Sequence, residues 1–320
     1  MKTLKKIISL ILVTVVLTSC TRITDAYQPS NLMNNIYLAN SDTFAVGTAK
    51  NIMIPSKIAD EIVDSVGADS YFIASTDRYK SNFTKYLSPY KKMSIASLTK
   101  LMTALIVLEN CKDLNEEYYV VDEDVDFEKD ASKANLRPGD KVKVIDLLYG
   151  LLVPSGNDAA MCLANNLVGS YDNFVIMMNN EAERLGAVNT HFANPHGLDS
   201  DYHFSTAYDL FLITRELLKY DIFKTITTVK EYSANIMSSD GVMRTERWIN
   251  TNYFATGELL ISSNVKLLAG KTGNTTSAGN CLILITENPK DNSNYISVIL
   301  NAKSKRNSYY NSNALLSLIK

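Results

Sequence analysis

Cysteine, histidine and net charge are all scarce in this 320-residue chain, and each shortage closes a class of function. The four cysteines, Cys20, Cys111, Cys162 and Cys281, show no C-x-x-C spacing, so neither a zinc ribbon nor a redox pair is expected. The three beyond Cys20 lie in apolar surroundings and read as small buried hydrophobes, an odd number that builds no disulfide framework. The three histidines, His191, His196 and His203, fall in one stretch without zinc-ligand spacing, which predicts loop hydrogen bonding rather than metal. Asp122, Glu123, Asp124 and Asp126 have the look of a calcium loop, but Phe127 stands where its glycine belongs and Lys133 where its last glutamate belongs. No metal is therefore expected. The formal net charge is −2, and removal of residues 1–19, with three lysines and no acid, leaves −5; nucleic-acid binding has no basic surface to rest on. Repeats and low-complexity tracts are absent, and the one long apolar run near the start, Ile7 to Leu17, falls short of the roughly 20 residues of a membrane span.

What is present is the composition of a globular protein with a substantial core: 46% hydrophobic, 21% charged, 9% aromatic. Lys2, Lys5 and Lys6 ahead of the apolar run, followed by small residues, give the layout of a secretory signal peptide. Its end, Leu17-Thr18-Ser19-Cys20, resembles a bacterial lipobox, in which the cysteine carries lipid and becomes the mature N-terminus. A plain signal peptide or an uncleaved anchor is the alternative. The chain thus divides into a signal peptide at 1–19, a lipidated N-terminus and tether at 20–66, and a catalytic domain at 67–320 with a helical insert over roughly 105–240. The expected location is the extracytoplasmic face of a bacterial membrane, held there by lipid on Cys20.

Within the domain, Tyr71 to Ser75 reads as a strand, with a turn at Asp77-Arg78 and a second extended piece before Pro89. Leu98, Leu101, Met102, Ala104, Leu105, Ile106, Val107 and Leu108 occupy nearly every side of a helix opened by Ser97, and a helix apolar all round belongs in a core. Ile145 to Val153 forms another apolar segment, ended by Pro154, so Ser155 to Asn157 lie on a loop between helices. Helical patterns continue through Met177–Leu185 and Ala207–Leu218, making the middle of the chain mostly helical. Leu267–Gly273 and Asn280–Ile285 read as paired strands joined through Gly279, Tyr295–Leu300 as a third, and 307–320 as a closing helix. Strands at both ends around a helical middle predict an α/β (α+β) fold in which an antiparallel sheet is flanked by helices and faces a helical subdomain.

Three short strings stand in order along this framework: Ser97-Leu98-Thr99-Lys100, Ser155-Gly156-Asn157 and Lys271-Thr272-Gly273. Each is weak alone, since S-x-x-K recurs at Ser88, Ser263 and Ser317 and S-x-N at Ser233 and Ser262. Only Ser97 opens a strongly helical segment. In this order the strings form the signature of penicillin-binding proteins and class A β-lactamases.

The residue types suit acyl transfer. A serine hydroxyl needs an adjacent base to become a nucleophile. Lys100, three positions along the same helix, shares the face of Ser97 and serves as that base if burial, the helix N-terminus and Lys271 drive its amine to the neutral form. Ser155 is placed to relay a proton to the departing amine, and the Asn157 amide to pair with a peptide backbone. Lys271 and the Thr272 hydroxyl suit a substrate carboxylate, with Gly273 leaving room for close approach to the strand. The backbone N–H groups of Ser97 and Asn274 are the candidate oxyanion hole.

The chain resembles the low-molecular-mass penicillin-binding proteins, the serine D-alanyl-D-alanine carboxypeptidases of peptidase family S11, over about residues 70–320. The likeness rests on 96–103, on 147–152 leading into Pro154-Ser155-Gly156-Asn157-Asp158-Ala159-Ala160, on Asn194-Pro195-His196-Gly197-Leu198, on Ser205-Thr206-Ala207 and on Lys271 through Gly279. It implies a β-lactamase/DD-peptidase-like fold, hydrolysis of the D-Ala-D-Ala terminus of peptidoglycan stem peptides through an acyl-enzyme on Ser97, trapping by β-lactams, and no metal or organic cofactor. Glycine in the middle of the second string, where class A β-lactamases have aspartate, favours peptidase over β-lactamase. Departures from the family pattern are Ile95 in place of a frequent proline, Asn274 in place of an aromatic or histidine, and no C-terminal β-domain or anchor helix, whose place a lipid on Cys20 would take.

Three rivals frame this reading. A class A β-lactamase needs a glutamate-activated water, and no E-x-x-L-N string lies between Asn157 and Lys271. A non-catalytic wall-binding lipoprotein has no need of intact Ser97, Lys100, Asn157 and Lys271. A DD-endopeptidase uses the same residues and differs in the openness of the surrounding loops.

Overall fold

The computed structural model describes residues 66–77 and 83–320. The signal peptide, the lipobox cysteine Cys20 and the tether up to residue 65 lie outside the described residues, as does Arg78 of the first turn.

Two sheets and the helices between them form the domain. The larger has five strands in the order β2-β1-β9-β8-β7, all antiparallel: β1 (Ala68–Ser75), β2 (Thr84–Leu87), β7 (Lys266–Thr275), β8 (Gly279–Asn288) and β9 (Ser293–Ala302). Its inner strands carry apolar side chains on both faces, with Ser297 a buried polar exception in β9, because both faces are covered. Phe72, Ala74, Ile283, Ile285, Ile296 and Val298 point into the main core, while Tyr71, Ile73, Leu282, Leu284 and Ile299 point into a second core. The last helix, Lys305–Leu316, closes that second core with Tyr309, Leu315 and Leu316, its first turn capped by the Ser304 hydroxyl accepting from Asn307 N–H at 3.2 Å. This helix ends at Leu316, four residues before the expected end.

On the other face lies α1 (Lys100–Asn110), entered through a 3-10 turn at Ala96–Thr99. Every residue from Lys100 to Val107 is buried, as its apolar circumference requires. Around it pack α3 (Val144–Leu152), α4 (Asn157–Val168), α5 (Tyr171–Arg184) and α6 (Ala207–Leu217), while α7 (Asp221–Thr228) packs on β7 and α3 and the one-turn α2 (Asp122–Val125) lies beside α4. Boundaries follow capping chemistry. Gly169, at φ 76°, ends α4; Ser170 and Thr206 cap α5 and α6 by accepting from Asn173 and Asp209 N–H.

The middle of the chain is less helical than its pattern predicts, because it contains a second antiparallel sheet, β3-β4-β5-β6: Glu117–Tyr119, Lys141–Lys143, Glu231–Met237 and Met243–Ile249. The last two form a hairpin around Asp240-Gly241, with Gly241 at φ 81° and Val242 N–H held by the Asp240 carboxylate at 3.0 Å. Ala234, Ile236 and Trp248 face the core while their neighbours face solvent. Two of the four strands have only three residues each, too short for a periodic signal.

Candidate active site

The three strings converge where the large sheet meets the helical layer. The 3-10 turn bearing Ser97 packs against β7, and a side chain at Gly273 would press on Ile95 O at 3.0 Å and the Ala96 Cβ at 3.2 Å. What the missing side chain at Gly273 admits is thus the turn that carries Ser97.

Lys100 Nζ, fully buried, has three oxygens around it: Ser97 Oγ at 2.9 Å, Asn157 Oδ1 at 2.7 Å and the His196 carbonyl at 2.6 Å. Two of these are carbonyl oxygens and only accept. A neutral amine has two N–H groups and one lone pair, so donation to Asn157 and His196 leaves the lone pair for the Ser97 hydroxyl proton. Burial first, then the Lys271 charge, drives this amine well below its ordinary 10.5, while Asp158 pulls the other way. Once the proton has been taken up, the third N–H points back at Ser97 Oγ, so the same cage fits both protonation states.

Ser155 sits on the α3–α4 loop with φ 68°, a left-handed conformation in a residue that has a side chain. Its Oγ accepts from Lys271 Nζ at 2.8 Å, and Lys271 also donates to the Thr272 carbonyl at 2.8 Å. Lys271 is 1% exposed, and burial, aided by Lys305, lowers it from 10.5 to about 7. The loop is pinned by Gly156 N–H on the Gly150 carbonyl at 2.9 Å and Asn157 N–H on the Ser132 carbonyl at 2.9 Å. Gly156 has no room for a side chain, with Asp158 Oδ1 and Ala134 N at 2.7 and 2.8 Å from a Cβ placed there. The Asp158 carboxylate accepts from Ala134 N–H at 2.7 Å and Leu136 N–H at 3.1 Å, which fixes the 132–136 segment beside the string.

Several participants had no role assigned from sequence. The 193–203 loop presses on the Ser97 turn and α1: Pro195 O accepts from Thr103 Oγ1 at 2.5 Å, His196 O from Lys100, and Gly197, at φ 93°, has Ala96 O where a Cβ would go. Thr251 Oγ1 lies 2.7 Å from Thr272 Oγ1. Asp199 ties the loop to the β7–β8 turn by accepting from Thr275 Oγ1 at 2.6 Å and Ser277 N–H at 3.2 Å. Only the match of Asn194 to Leu198 with a known string singled out this loop; carbonyl contacts leave no mark in side-chain identity. The Asn274 side chain turns away to the Gly279 carbonyl at 3.1 Å. Two histidines bond within their own loop, His191 Nδ1 to Tyr202 O at 2.5 Å and His196 Nδ1 to Leu198 N–H at 3.2 Å, while His203 bonds Ala193 in the loop and reaches out of it to Thr99. Among the described residues no group of three or more His, Cys, Asp or Glu side chains is arranged to hold a metal ion.

With this geometry in view, comparison with known proteins is decisive. Residues 64–304 match the peptidase S11 model, D-alanyl-D-alanine carboxypeptidase. The chain belongs to that family. A relative, D-alanyl-D-alanine carboxypeptidase DacC of Escherichia coli, is 35% identical over 242 residues, 71% of this chain and 55% of that protein. The D-alanyl-D-alanine carboxypeptidase of Streptomyces sp. K15 is 35% identical over 203 residues, 60% of this chain and 67% of its own. The crystal structure of the Streptomyces K15 DD-transpeptidase superposes with a TM-score of 0.71 at 29% identity, covering 78% of this chain and 96% of that one. The chain therefore spans about half the length of the E. coli relative and nearly all of the K15 structure. The S11 fold is the expected β-lactamase/DD-peptidase-like one, an antiparallel sheet flanked by helices.

Proposed function

We propose that this S11 protein is a serine D-alanyl-D-alanine carboxypeptidase of peptidoglycan stem peptides. The observation that carries the reading is the cage of Lys100: a buried amine with two carbonyl acceptors and one serine hydroxyl. Ser97 Oγ attacks the carbonyl carbon of the penultimate D-alanine while its proton passes to Lys100 Nζ. The Ser97 and Asn274 N–H groups receive the oxyanion. The C–N bond then breaks, the terminal D-alanine amine leaves with a proton delivered from Lys100 and relayed by Ser155, and water hydrolyses the ester to free Ser97. Asn157 Nδ2 remains available to donate to the substrate backbone, its oxygen being occupied by Lys100. Lys271 and Thr272 hold the terminal carboxylate, with Gly273 keeping β7 close to the nucleophile. β-Lactams would acylate the same serine.

The N-terminal layout supports export and a lipid on Cys20, which would keep the enzyme at the outer face of the membrane near its polymer substrate. No described helix is long and apolar enough to cross a membrane. The name DD-transpeptidase of the K15 neighbour supports a second outcome for the same acyl-enzyme, in which an amine rather than water accepts the acyl group.

The test is D-alanine release by the purified protein from a stem-peptide mimic ending in D-Ala-D-Ala, beside Ser97→Ala, with and without an amine acceptor. Release that disappears in Ser97→Ala supports the carboxypeptidase. A cross-linked product in place of free acid moves the assignment to transpeptidase. A folded protein that releases nothing and takes no penicillin on Ser97 refutes both.

A further inference from the structure

The Ala96–Ser97 peptide is under unusual constraint. Ala96 has φ 48°, a left-handed conformation that costs a residue with a side chain roughly 1–3 kcal/mol and persists only when its surroundings enforce it. Its carbonyl oxygen accepts from Thr99 Oγ1 at 2.8 Å and is backed by the Gly197 backbone. Thr99 Oγ1 in turn lies 2.7 Å from His203 Nε2, and His203 Nδ1 accepts from Ala193 N–H at 3.0 Å. All of these side chains are buried.

The direction of this chain is determined at every link. Ala193 N–H can only donate, so Nδ1 is the bare nitrogen and the neutral ring has its hydrogen on Nε2. Nε2–H therefore donates to Thr99 Oγ1, whose single hydrogen has the Ala96 carbonyl as its remaining target. Burial first, then His191, holds His203 at about 4, with Asp199 opposing and Lys100 adding to the shift, so the ring is neutral near pH 7. A trans peptide is planar, with its C=O and N–H pointing in opposite directions. Holding Ala96 O inward on Thr99 therefore aims Ser97 N–H outward, toward the cleft.

We infer that His203 and Thr99 are positioning residues for the reaction: through the Ala193–His203–Thr99–Ala96 hydrogen-bond chain they set the orientation of the Ser97 N–H. This rests on the reading of Ser97 as nucleophile and of its N–H as an oxyanion donor. Neither side chain touches substrate. The pair acts on the rate of acyl transfer and leaves the pocket that recognises the peptide unchanged.

Stopped-flow acylation by a fluorescent penicillin separates the noncovalent binding constant from the acylation rate. Loss of an oxyanion donor costs roughly 100- to 1,000-fold in rate, and its misorientation is expected to cost roughly 10- to 100-fold. Thr99→Val should show that loss with an unchanged binding constant, while Thr99→Ser, which retains the hydroxyl, should restore the rate. His203→Gln keeps a donor for Thr99 and should be faster than His203→Asn, which reaches only Ala193. Nitrogen-15 spectra of the unaltered protein should show one histidine as a slowly exchanging Nε2–H tautomer that is lost in His203→Gln. Folded Thr99→Val acylating at the original rate overturns the inference, as do equal defects in the Gln and Asn variants or an Nδ1–H tautomer at His203. A parent protein that penicillin does not acylate at Ser97 refutes the functional reading itself, a result distinct from acylated parent and indifferent variants.

Discussion

Replacing Lys271 by methionine should make the protein more stable and less active at once. Lys271 is buried, and burial, with Lys305 adding repulsion, lowers its pKa from 10.5 to about 7. At about 1.4 kcal/mol per unit, a depression of that size corresponds to a folding cost on the order of 5 kcal/mol at pH 7 and below. Methionine has a similar length and no charge to desolvate, but it leaves Ser155 Oγ and the Thr272 carbonyl without their shared donor. Those losses cost roughly 1–3 kcal/mol each, about 4 kcal/mol together at mid-range, so the net gain should be about 1 kcal/mol, or a Tm higher by about 2–4 °C in a domain of this size. The pH dependence gives the sharper check. Between about 7 and 10.5 the unfolded chain holds a proton on Lys271 that the folded chain has lost, so the stability of the unaltered protein rises with pH through that window. The advantage of Lys271→Met should be largest at pH 6.5 and fade toward pH 10.5, read by scanning calorimetry at both ends. Penicillin acylation of the variant should fall by at least tenfold at every pH. A variant whose stability relative to the unaltered protein does not fall between pH 6.5 and pH 10.5 would refute the assignment of a desolvated cation to this position.

Penicillin acylation of the unaltered protein should follow a bell in pH, because Lys100 must be neutral to take the Ser97 proton and Lys271 charged to hold a carboxylate; the alkaline limb, near 7 in the free enzyme, should disappear in Lys271→Arg. Asp158→Ala leaves the N–H groups of Ala134 and Leu136 without an acceptor and should lower unfolding free energy in urea by about 3 kcal/mol. Gly156→Ala drives a methyl group into Ala134 N and the Asp158 carboxylate, and should slow acylation by roughly tenfold or more while a far smaller effect follows the same exchange at the unobstructed Gly186, which keeps only the backbone strain of its φ 80°.

Much of the large sheet was legible because its strands are apolar runs bounded by turn residues, and such runs need no partner to be recognised. α1 was legible for the same reason: residues apolar on every side have only a core to occupy. The sheet β3-β4-β5-β6 was missed. Its first two strands are too short to show a period, and the Asp240-Gly241 hairpin signal sits where helical patterns dominate the preceding hundred residues. Cys111, expected to be buried, is only half so, because it ends α1 as the chain leaves the core.

The spacing of Ser97 and Lys100, the order of the three strings and the apolar character of their supports are facts of residue type and interval, and they sufficed to identify the family. Which distant side chain meets each lysine is not local. Lys100 and Asn157 are 57 positions apart and Lys271 and Ser155 are 116 apart, so these two pairings exist only once α4 packs on α1 and β7 lies beside the α3–α4 loop. Nor could the order of residues disclose that Gly197 makes room for Ala96 O, or that His203, a loop histidine by every sequence measure, reaches Thr99 across 104 positions. Backbone carbonyls have no side-chain signature, and the direction of a hydrogen-bond chain exists only once its ends have been brought together.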